Sequence, residues 1–131
     1  MKNLYNIAKY YLFNYDKIDE MIEDREEEII DNICPNVENY LKGFNTVETQ
    51  VIALIEDKRI KMLKRWQVQI KNVLVFLRKR YPMAYKVIIM KYFKRMSNEE
   101  IQKNLKLNFK QIKYIDNKVI EKIIKRYNNG I

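Results

Sequence analysis

Residues 97–126, SNEEIQKNLKLNFKQIKYIDNKVIEKIIKR, contain the pattern that decides the fold. Ser97 followed by Glu100 is a capping box, in which each side chain satisfies a backbone N–H group at the start of a helix. Asn108 followed by Gln111 repeats this arrangement further along the chain. The stretch therefore predicts a short helix from Ser97 to about Leu105, a tight turn, and a longer helix that ends near residue 126.

Apolar residues at fixed spacings predict how these two helices meet. Ile101 and Leu105 lie on one face of the shorter helix, Leu107 lies in the turn, and Ile112 and Ile115 face back from the longer helix. Such a set holds two short helices at a steep angle, which is the helix-turn-helix arrangement. The first turns of the longer helix are then left facing solvent.

The side chains expected on that solvent face suit contact with DNA. Lysine can bind guanine acceptors, and glutamine and asparagine can pair with adenine in the major groove. The candidate base-reading residues are Phe109, Lys110, Gln111, Lys113, Tyr114 and Asn117. The candidate phosphate-binding residues around them are Lys94, Arg95, Lys103, Lys106, Lys118 and Lys122.

The charge of the chain is divided along its length. Residues 1–57 hold 5 Lys and Arg against 13 Asp and Glu, a net charge of −8. Residues 58–131 hold 21 Lys and Arg against 4 Asp and Glu, a net charge of +17. A basic region around a helix that fits a groove is typical of a DNA-binding module, so double-stranded DNA is the expected partner.

The composition excludes several classes of function. The chain has no histidine, 2 glycines and 1 cysteine, so His-based catalysis, glycine-rich phosphate loops and multi-cysteine zinc sites are excluded. We expect no enzymatic activity, no catalytic residue, no cofactor and no metal. No apolar run approaches the ~20 residues of a membrane span, and Met1–Tyr5 does not resemble a signal peptide. The single cysteine suits an intracellular, reducing compartment, so we expect a cytoplasmic protein.

Few glycines and prolines and long helical periodicities predict an all-α fold in three regions. Residues 1–44 form an acidic helical region, residues 45–80 a long central helix, and residues 81–131 the helix-turn-helix domain. Within the first region we predict a helix at about 4–13, a second helix at about 16–33 capped by Asp16, and a linker at 35–45. The central helix should begin with a capping box of Asn45 with Glu48. A further helix is predicted from Pro82 to Phe93, with Tyr92 partly buried and with a core of Ala84, Val87, Ile88 and Phe93.

The central segment has two interpretations. About 34 helical residues would span roughly 50 Å, which is long for a small domain. Either the helix breaks near Asp57–Lys61, or it packs against a second copy of the chain. Positions 63, 66, 70, 73 and 77 form a short heptad seam that suits a homodimer, although two heptads do not establish a coiled coil.

Nine acidic residues lie between Asp16 and Asp31. Glu20, Glu23, Glu27 and Asp31 share one helix face, which allows a Mg²⁺ site of the kind found in all-helical pyrophosphohydrolases. No second acidic helix is predicted to face them, so we expect a solvated face. A contact surface for a basic partner is the second interpretation.

The stretch from Ser97 to Ile112 resembles the C-terminal promoter-reading region of sigma factors, whose pattern is Ser-x-x-Glu-Ile-Ala-x-x-Leu-x-Ile-Ser-x-x-Thr-Val. Gln102 replaces the usual alanine of that pattern, and Lys106 replaces a frequent turn glycine. The wider plan resembles phage late-transcription regulators of the RinA/ArpU type. The matching segments are Tyr11–Ile30, Thr46–Glu56, Lys91-Tyr92-Phe93 and Asn117–Ile120.

This resemblance implies a small phage or prophage activator that binds a promoter and works with host RNA polymerase. It also implies association with the nucleoid of a bacterial host cell. Two alternatives stay open. One is the DNA-recognition small subunit of a phage terminase, although those carry the motif at the N-terminus. The other is a helical protein-interaction factor without DNA binding, such as an antirepressor or a polymerase-binding protein.

Overall fold

The computed structural model describes residues 2–33 and 46–129. Within these ranges the chain is all-α and contains no strand, which confirms the predicted fold class. The α-helices are α1 (Lys2–Phe13), α2 (Ile18–Ile33), α3 (Thr46–Glu56), α4 (Lys58–Arg80), α5 (Pro82–Ile88), α6 (Asn98–Leu105) and α7 (Phe109–Asn128). A 3-10 turn, Tyr15–Lys17, leads into α2, and a π-helical turn, Ile89–Phe93, extends α5.

The N-terminal helices begin slightly away from their predicted positions. Helix α1 starts at Lys2, and α2 starts at Ile18 because Asp16 lies inside the 3-10 turn instead of capping the helix. The predicted linker at 35–45 lies outside the described residues. The predicted capping box of Asn45 with Glu48 also falls outside, because neither side chain is described.

The central segment is interrupted at Asp57, which lies between α3 and α4. The Asp57 carboxylate accepts a hydrogen bond from the backbone N–H of Ile60 at 2.9 Å, and its carbonyl accepts one from the N–H of Lys61 at 3.1 Å. Asp57 therefore caps α4. Of the two interpretations of this segment, the structure shows the broken helix.

The described chain divides into two compact units of opposite net charge. The first unit comprises residues 1–15 and 66–131, and it holds 18 Lys and Arg against 4 Asp and Glu, a net charge of +14. The second comprises residues 16–65, with 8 Lys and Arg against 13 Asp and Glu, a net charge of −5. The predicted regions 1–44, 45–80 and 81–131 are a different division and stay a prediction.

In the acidic unit, an ion pair joins α2 to the start of α4. Arg25 Nη2 donates to Asp57 Oδ1 at 2.9 Å, and Arg25 Nε lies 3.2 Å from Asp57 Oδ2. These hydrogen bonds hold the pKa of Asp57 below its ordinary value. The Asp57 carboxylate thus pairs with Arg25 of α2 and also caps the start of α4.

In the basic unit, the seam of α4 is buried by the chain itself. Trp66, Ile70, Val73 and Leu77 are each less than 5% exposed. The Trp66 ring stacks on Tyr127 of α7 with a centroid distance of 3.9 Å. Burial of each such side chain contributes about 2 kcal/mol, so these seam positions are stabilised without a second copy of the chain.

The helix-turn-helix has its own small core. Val87, Ile101 and Ile112 are buried at its centre. Around them pack the partly buried side chains of Met90, Met96, Leu105, Leu107 and Ile115. All five apolar positions that predicted the meeting of α6 and α7 therefore lie in this cluster.

Candidate nucleic-acid interface

Both predicted capping boxes of the helix-turn-helix are present. The Glu100 N–H donates to Ser97 Oγ at 3.2 Å, and the Ser97 N–H donates to Glu100 Oε1 at 3.1 Å. The Gln111 N–H donates to Asn108 Oδ1 at 2.8 Å, and the Asn108 N–H donates to Gln111 Oε1 at 2.9 Å. These bonds fix where α6 and α7 begin, and only three residues, 106–108, connect the two helices.

The turn depends on an unusual backbone conformation at Lys106. Its φ of 55° and ψ of 40° place it in the left-handed region, which glycine adopts with less strain. Leu107, the next residue, turns its side chain back into the small core. This geometry brings α7 out of the motif with its first turns exposed.

The outer face of α7 is a stripe of exposed side chains spaced three or four residues apart. Lys110, Tyr114, Lys118, Glu121 and Lys125 lie on it, and Tyr114 is 64% exposed. Residues at this spacing share one side of a helix. The stripe is basic at its start and carries its one acidic member, Glu121, about three turns further on, so the first turns are the part suited to a phosphate-lined groove.

Two predicted base-reading residues already have partners within the protein. Gln111 Oε1 accepts the hydrogen bond of the capping box, so a pairing with adenine would have to share this oxygen with the cap. The Oδ1 atom of Asn117 accepts from the Tyr5 hydroxyl, and Asn117 is only partly exposed. Phe109, Lys110, Lys113 and Tyr114 are exposed.

The predicted phosphate-binding residues also differ in their surroundings. Lys94, Lys103 and Lys106 are exposed. Arg95 instead donates from Nη2 to the Phe13 carbonyl at 2.9 Å and so holds the end of α1. The Lys122 ammonium lies 4.1 Å from the centre of the Phe76 ring and makes a cation–π contact within the fold.

Lys118 has an acidic neighbour. Its Nζ atom is 3.7 Å from Glu121 Oε2 and 5.6 Å from the centre of the Tyr114 ring. The Lys118 and Glu121 side chains are both more than half exposed, so the ion pair is weak and screened by salt. Lys118 is thus exposed to solvent and only weakly paired.

A buried carboxylate that the sequence did not single out anchors α7. Asp116 is 3% exposed, and its Oδ1 accepts from the Tyr92 hydroxyl at 2.5 Å. Its Oδ2 lies 2.7 Å from Lys91 Nζ and 4.0 Å from Lys9 Nζ. Burial raises the pKa of Tyr92, and the hydrogen bond to Asp116 and the Asp116 charge raise it further. A single aspartate on the apolar face of an otherwise basic helix is the signal that could have revealed this network.

The network explains an error in the predicted core. The sequence predicts Tyr92 to be partly buried and Phe93 to be core, whereas Tyr92 is 1% exposed and Phe93 is half-buried. Tyr92 can be buried because its hydroxyl reaches Asp116, and a satisfied polar group carries little penalty in the interior.

A small pocket opens beside the start of α7. It has a volume of about 170 Å³ and is lined from α1, the π-helical turn, α6 and α7. The Tyr5 hydroxyl lies at its edge, and burial raises the pKa of that group, as do the charges of Asp116 and Glu121. The lining side chains are those of Tyr5, Lys9, Lys91, Asn98, Phe109, Ile112, Lys113, Asp116 and Asn117.

An apolar groove runs along the other flank of α7. It has a volume of about 390 Å³, and the rings of Phe76, Tyr81 and Tyr114 line it together with Lys118 and Lys122. Because it borders the exposed stripe, a partner in this groove would lie next to the predicted DNA-reading residues.

Among the residues described, no three or more His, Cys, Asp or Glu side chains come together to hold a metal ion. None of the helices that the structure describes has an apolar stretch long enough to cross a bilayer.

Comparison of the chain with protein-family models, with curated proteins and with solved structures found no match.

Proposed function

We propose that the chain is a sequence-specific DNA-binding transcription regulator, in which α7 enters the major groove and the surrounding lysines bind phosphates. The observation that carries the proposal is the pair of capped helices α6 and α7, with the left-handed turn at Lys106 and an exposed basic stripe at the start of α7. The net charge of +14 on the unit that contains them supplies long-range attraction to DNA.

The sigma-like pattern of Ser97–Ile112 extends this proposal to a biological role. A phage or prophage late-gene activator that works with host RNA polymerase would combine the same helix-turn-helix with a protein contact. Host RNA polymerase is therefore the proposed protein partner, and the cytoplasm of a bacterial host the proposed location.

The test is fluorescence anisotropy of the full chain on labelled duplexes tiled across the DNA that flanks its gene, with random DNA for comparison, across a salt series. We expect one duplex to bind at least ~10³-fold more tightly than random DNA, since specific binding exceeds non-specific binding by that factor or more. Lys110→Ala, in the exposed first turn of α7, should reduce this preference.

The matched control is Lys71→Ala, an exposed lysine on α4 of the same basic unit. It removes the same charge without touching α7, so it should leave the sequence preference unchanged. Equal binding to every duplex, unaffected by Lys110→Ala, would show that α7 does not read bases. A ring-shaped oligomer by light scattering would favour the terminase small subunit instead.

The groove beside α7 favours a second candidate, a helical factor that binds protein and not DNA. Three aromatic rings and two lysines at a concave surface suit an acidic amphipathic segment of a partner. This candidate predicts no duplex binding at physiological salt, so the anisotropy experiment separates it from the regulator.

A further inference from the structure

We propose that Lys9, Lys91 and Lys113 form a pocket for one phosphate group of the DNA backbone, which makes α1 part of the DNA interface. This inference rests on the proposed DNA-binding function and names a contact outside the helix-turn-helix. The three lysines come from α1, from the π-helical turn and from α7, and all three line the same pocket of about 170 Å³.

The position of the pocket suits the DNA backbone. Phe109 and Lys113 line it from the first turns of α7, and Asn98, the first residue of α6, lines it from the other side. In helix-turn-helix complexes the start of the second helix enters the groove. A pocket directly beside that start therefore lies where a groove-edge phosphate would pass.

The charge balance of the pocket favours an anion. The Asp116 carboxylate is 4% exposed and is already engaged by Tyr92 at 2.5 Å and Lys91 at 2.7 Å. Lys9 Nζ lies further away, at 4.0 Å, with its side chain 31% exposed, and Lys113 is exposed. Three lysines against one aspartate leave a net charge of +2 in the lining.

The polar groups of the pocket also suit a phosphate. Because the Oδ1 atom of Asn117 accepts from the Tyr5 hydroxyl, its Nδ2 amide is the end that can donate to a ligand. Phosphate contacts of this kind, from lysines and amides, set the register of a protein on the duplex without reading sequence. Asn117, predicted to read bases, is thus assigned to the backbone.

The test measures the salt dependence of duplex binding for the wild type, Lys9→Gln and Lys9→Arg. Each phosphate contact contributes about 0.9 to the slope of log affinity against log salt concentration. We expect Lys9→Gln to make the salt dependence shallower, with the magnitude of the slope reduced by about 1. Its preference for one DNA sequence over another should not change. Lys9→Arg should keep the wild-type slope.

A duplex with single neutral methylphosphonates, placed in turn at each groove-edge position, locates the contact. At one position the wild type should lose more affinity than Lys9→Gln does, because the variant has already lost one of the three lysines that contact that phosphate. Lys113→Gln, an exposed change that leaves the Asp116 network in place, should lower the slope in the same way if Lys9→Gln proves poorly folded. Lys71→Gln should leave the slope unchanged.

An unchanged slope in both Lys9→Gln and Lys113→Gln, with the wild type still binding DNA, would overturn the pocket and leave the DNA-binding proposal standing. A drop in slope that is no larger than that of Lys71→Gln would also overturn it. If the wild type binds no duplex, both proposals fail together.

Discussion

At the scale of single residues, the turn between α6 and α7 carries a local cost at Lys106. Its left-handed backbone (φ 55°, ψ 40°) is unfavourable for any residue with a Cβ atom, by roughly 1 kcal/mol relative to glycine. We expect Lys106→Gly to raise the free energy of unfolding by about 1 kcal/mol, measured by urea denaturation. Lys106→Ala removes the same charge but keeps the Cβ atom, so it should show no such gain. Equal stability of the two variants would mean that the turn is unstrained.

Substitution of the buried Asp116 should lower the free energy of unfolding, in contrast to Lys106→Gly. Asp116→Asn removes the charge that pairs with Lys91 and weakens the hydrogen bond from Tyr92. Breaking a largely buried ion pair is strongly destabilising, and since Lys91 keeps some solvent we expect a loss of about 2–3 kcal/mol in the free energy of unfolding. Tyr92→Phe removes only the hydroxyl and should cost less, about 1.5 kcal/mol. If Asp116→Asn unfolds at the wild-type urea concentration, the carboxylate is not an anchor of α7.

At the scale of helices, Asp57 joins α2 to the start of α4 through its ion pair with Arg25, and it also caps α4. Arg25 holds the pKa of Asp57 below its ordinary value of 3.8, so the ionised carboxylate stabilises the folded state. This contribution is complete above pH 3.8 and is lost as the pH falls through the lower, folded-state pKa. We expect Asp57→Ala to lower stability at neutral pH by about 1–2 kcal/mol, mostly through the lost cap.

Asp57→Asn separates the two roles of this residue. Asparagine is a good N-cap but cannot form an ion pair with Arg25, so it should be more stable than Asp57→Ala at neutral pH. Urea unfolding at neutral pH and well below pH 3.8 makes the comparison, and the gap between wild type and Asp57→Asn should close at low pH. A gap that stays constant would place the stabilising charge elsewhere.

The start of α7 offers a change that separates folding from binding. Gln111→Glu keeps the capping box, and a negative charge suits the first turn of a helix, so stability should be unchanged or slightly raised. The same charge lies at the predicted DNA face and should weaken duplex binding by anisotropy. Gln111→Ala loses the Gln111 half of the capping box without adding charge. It should therefore lower the free energy of unfolding and weaken duplex binding less than Gln111→Glu does. Unaltered binding by Gln111→Glu would move the DNA away from this turn.

Local patterns in the sequence were sufficient to predict where α6 and α7 begin. Ser97, Glu100, Asn108 and Gln111 form the two boxes that their spacing predicts, because capping depends on residues only three positions apart. The same spacing could not show that the Gln111 side-chain oxygen, needed to pair with adenine, is already engaged in the cap of α7. Two predicted uses of one side chain conflict only when the hydrogen bonds are placed in three dimensions.

At the scale of the whole molecule, the basic unit is not continuous along the chain. Residues 1–15 pack with residues 66–131, so Tyr5 meets Asn117, Lys9 approaches Asp116, and Arg95 holds the end of α1. Periodicity predicts which face of a helix is buried, but it does not specify the partner across such a distance in sequence. This is why the predicted N-terminal region, counted as acidic, could not reveal α1 as a neighbour of α7.

Trp66 tests whether the central helix needs a second copy of the chain. It is the one tryptophan of the sequence, it is 1% exposed, and it stacks on Tyr11 and Tyr127 of the same chain. A tryptophan buried within one chain keeps its apolar surroundings whatever the protein concentration, whereas one buried at a subunit interface meets water when the subunits separate. We expect a blue-shifted emission maximum that stays constant over a wide dilution series, with the mass followed in parallel by light scattering. A red shift on dilution, in step with loss of a dimer mass, would instead identify the α4 seam as the surface between two subunits.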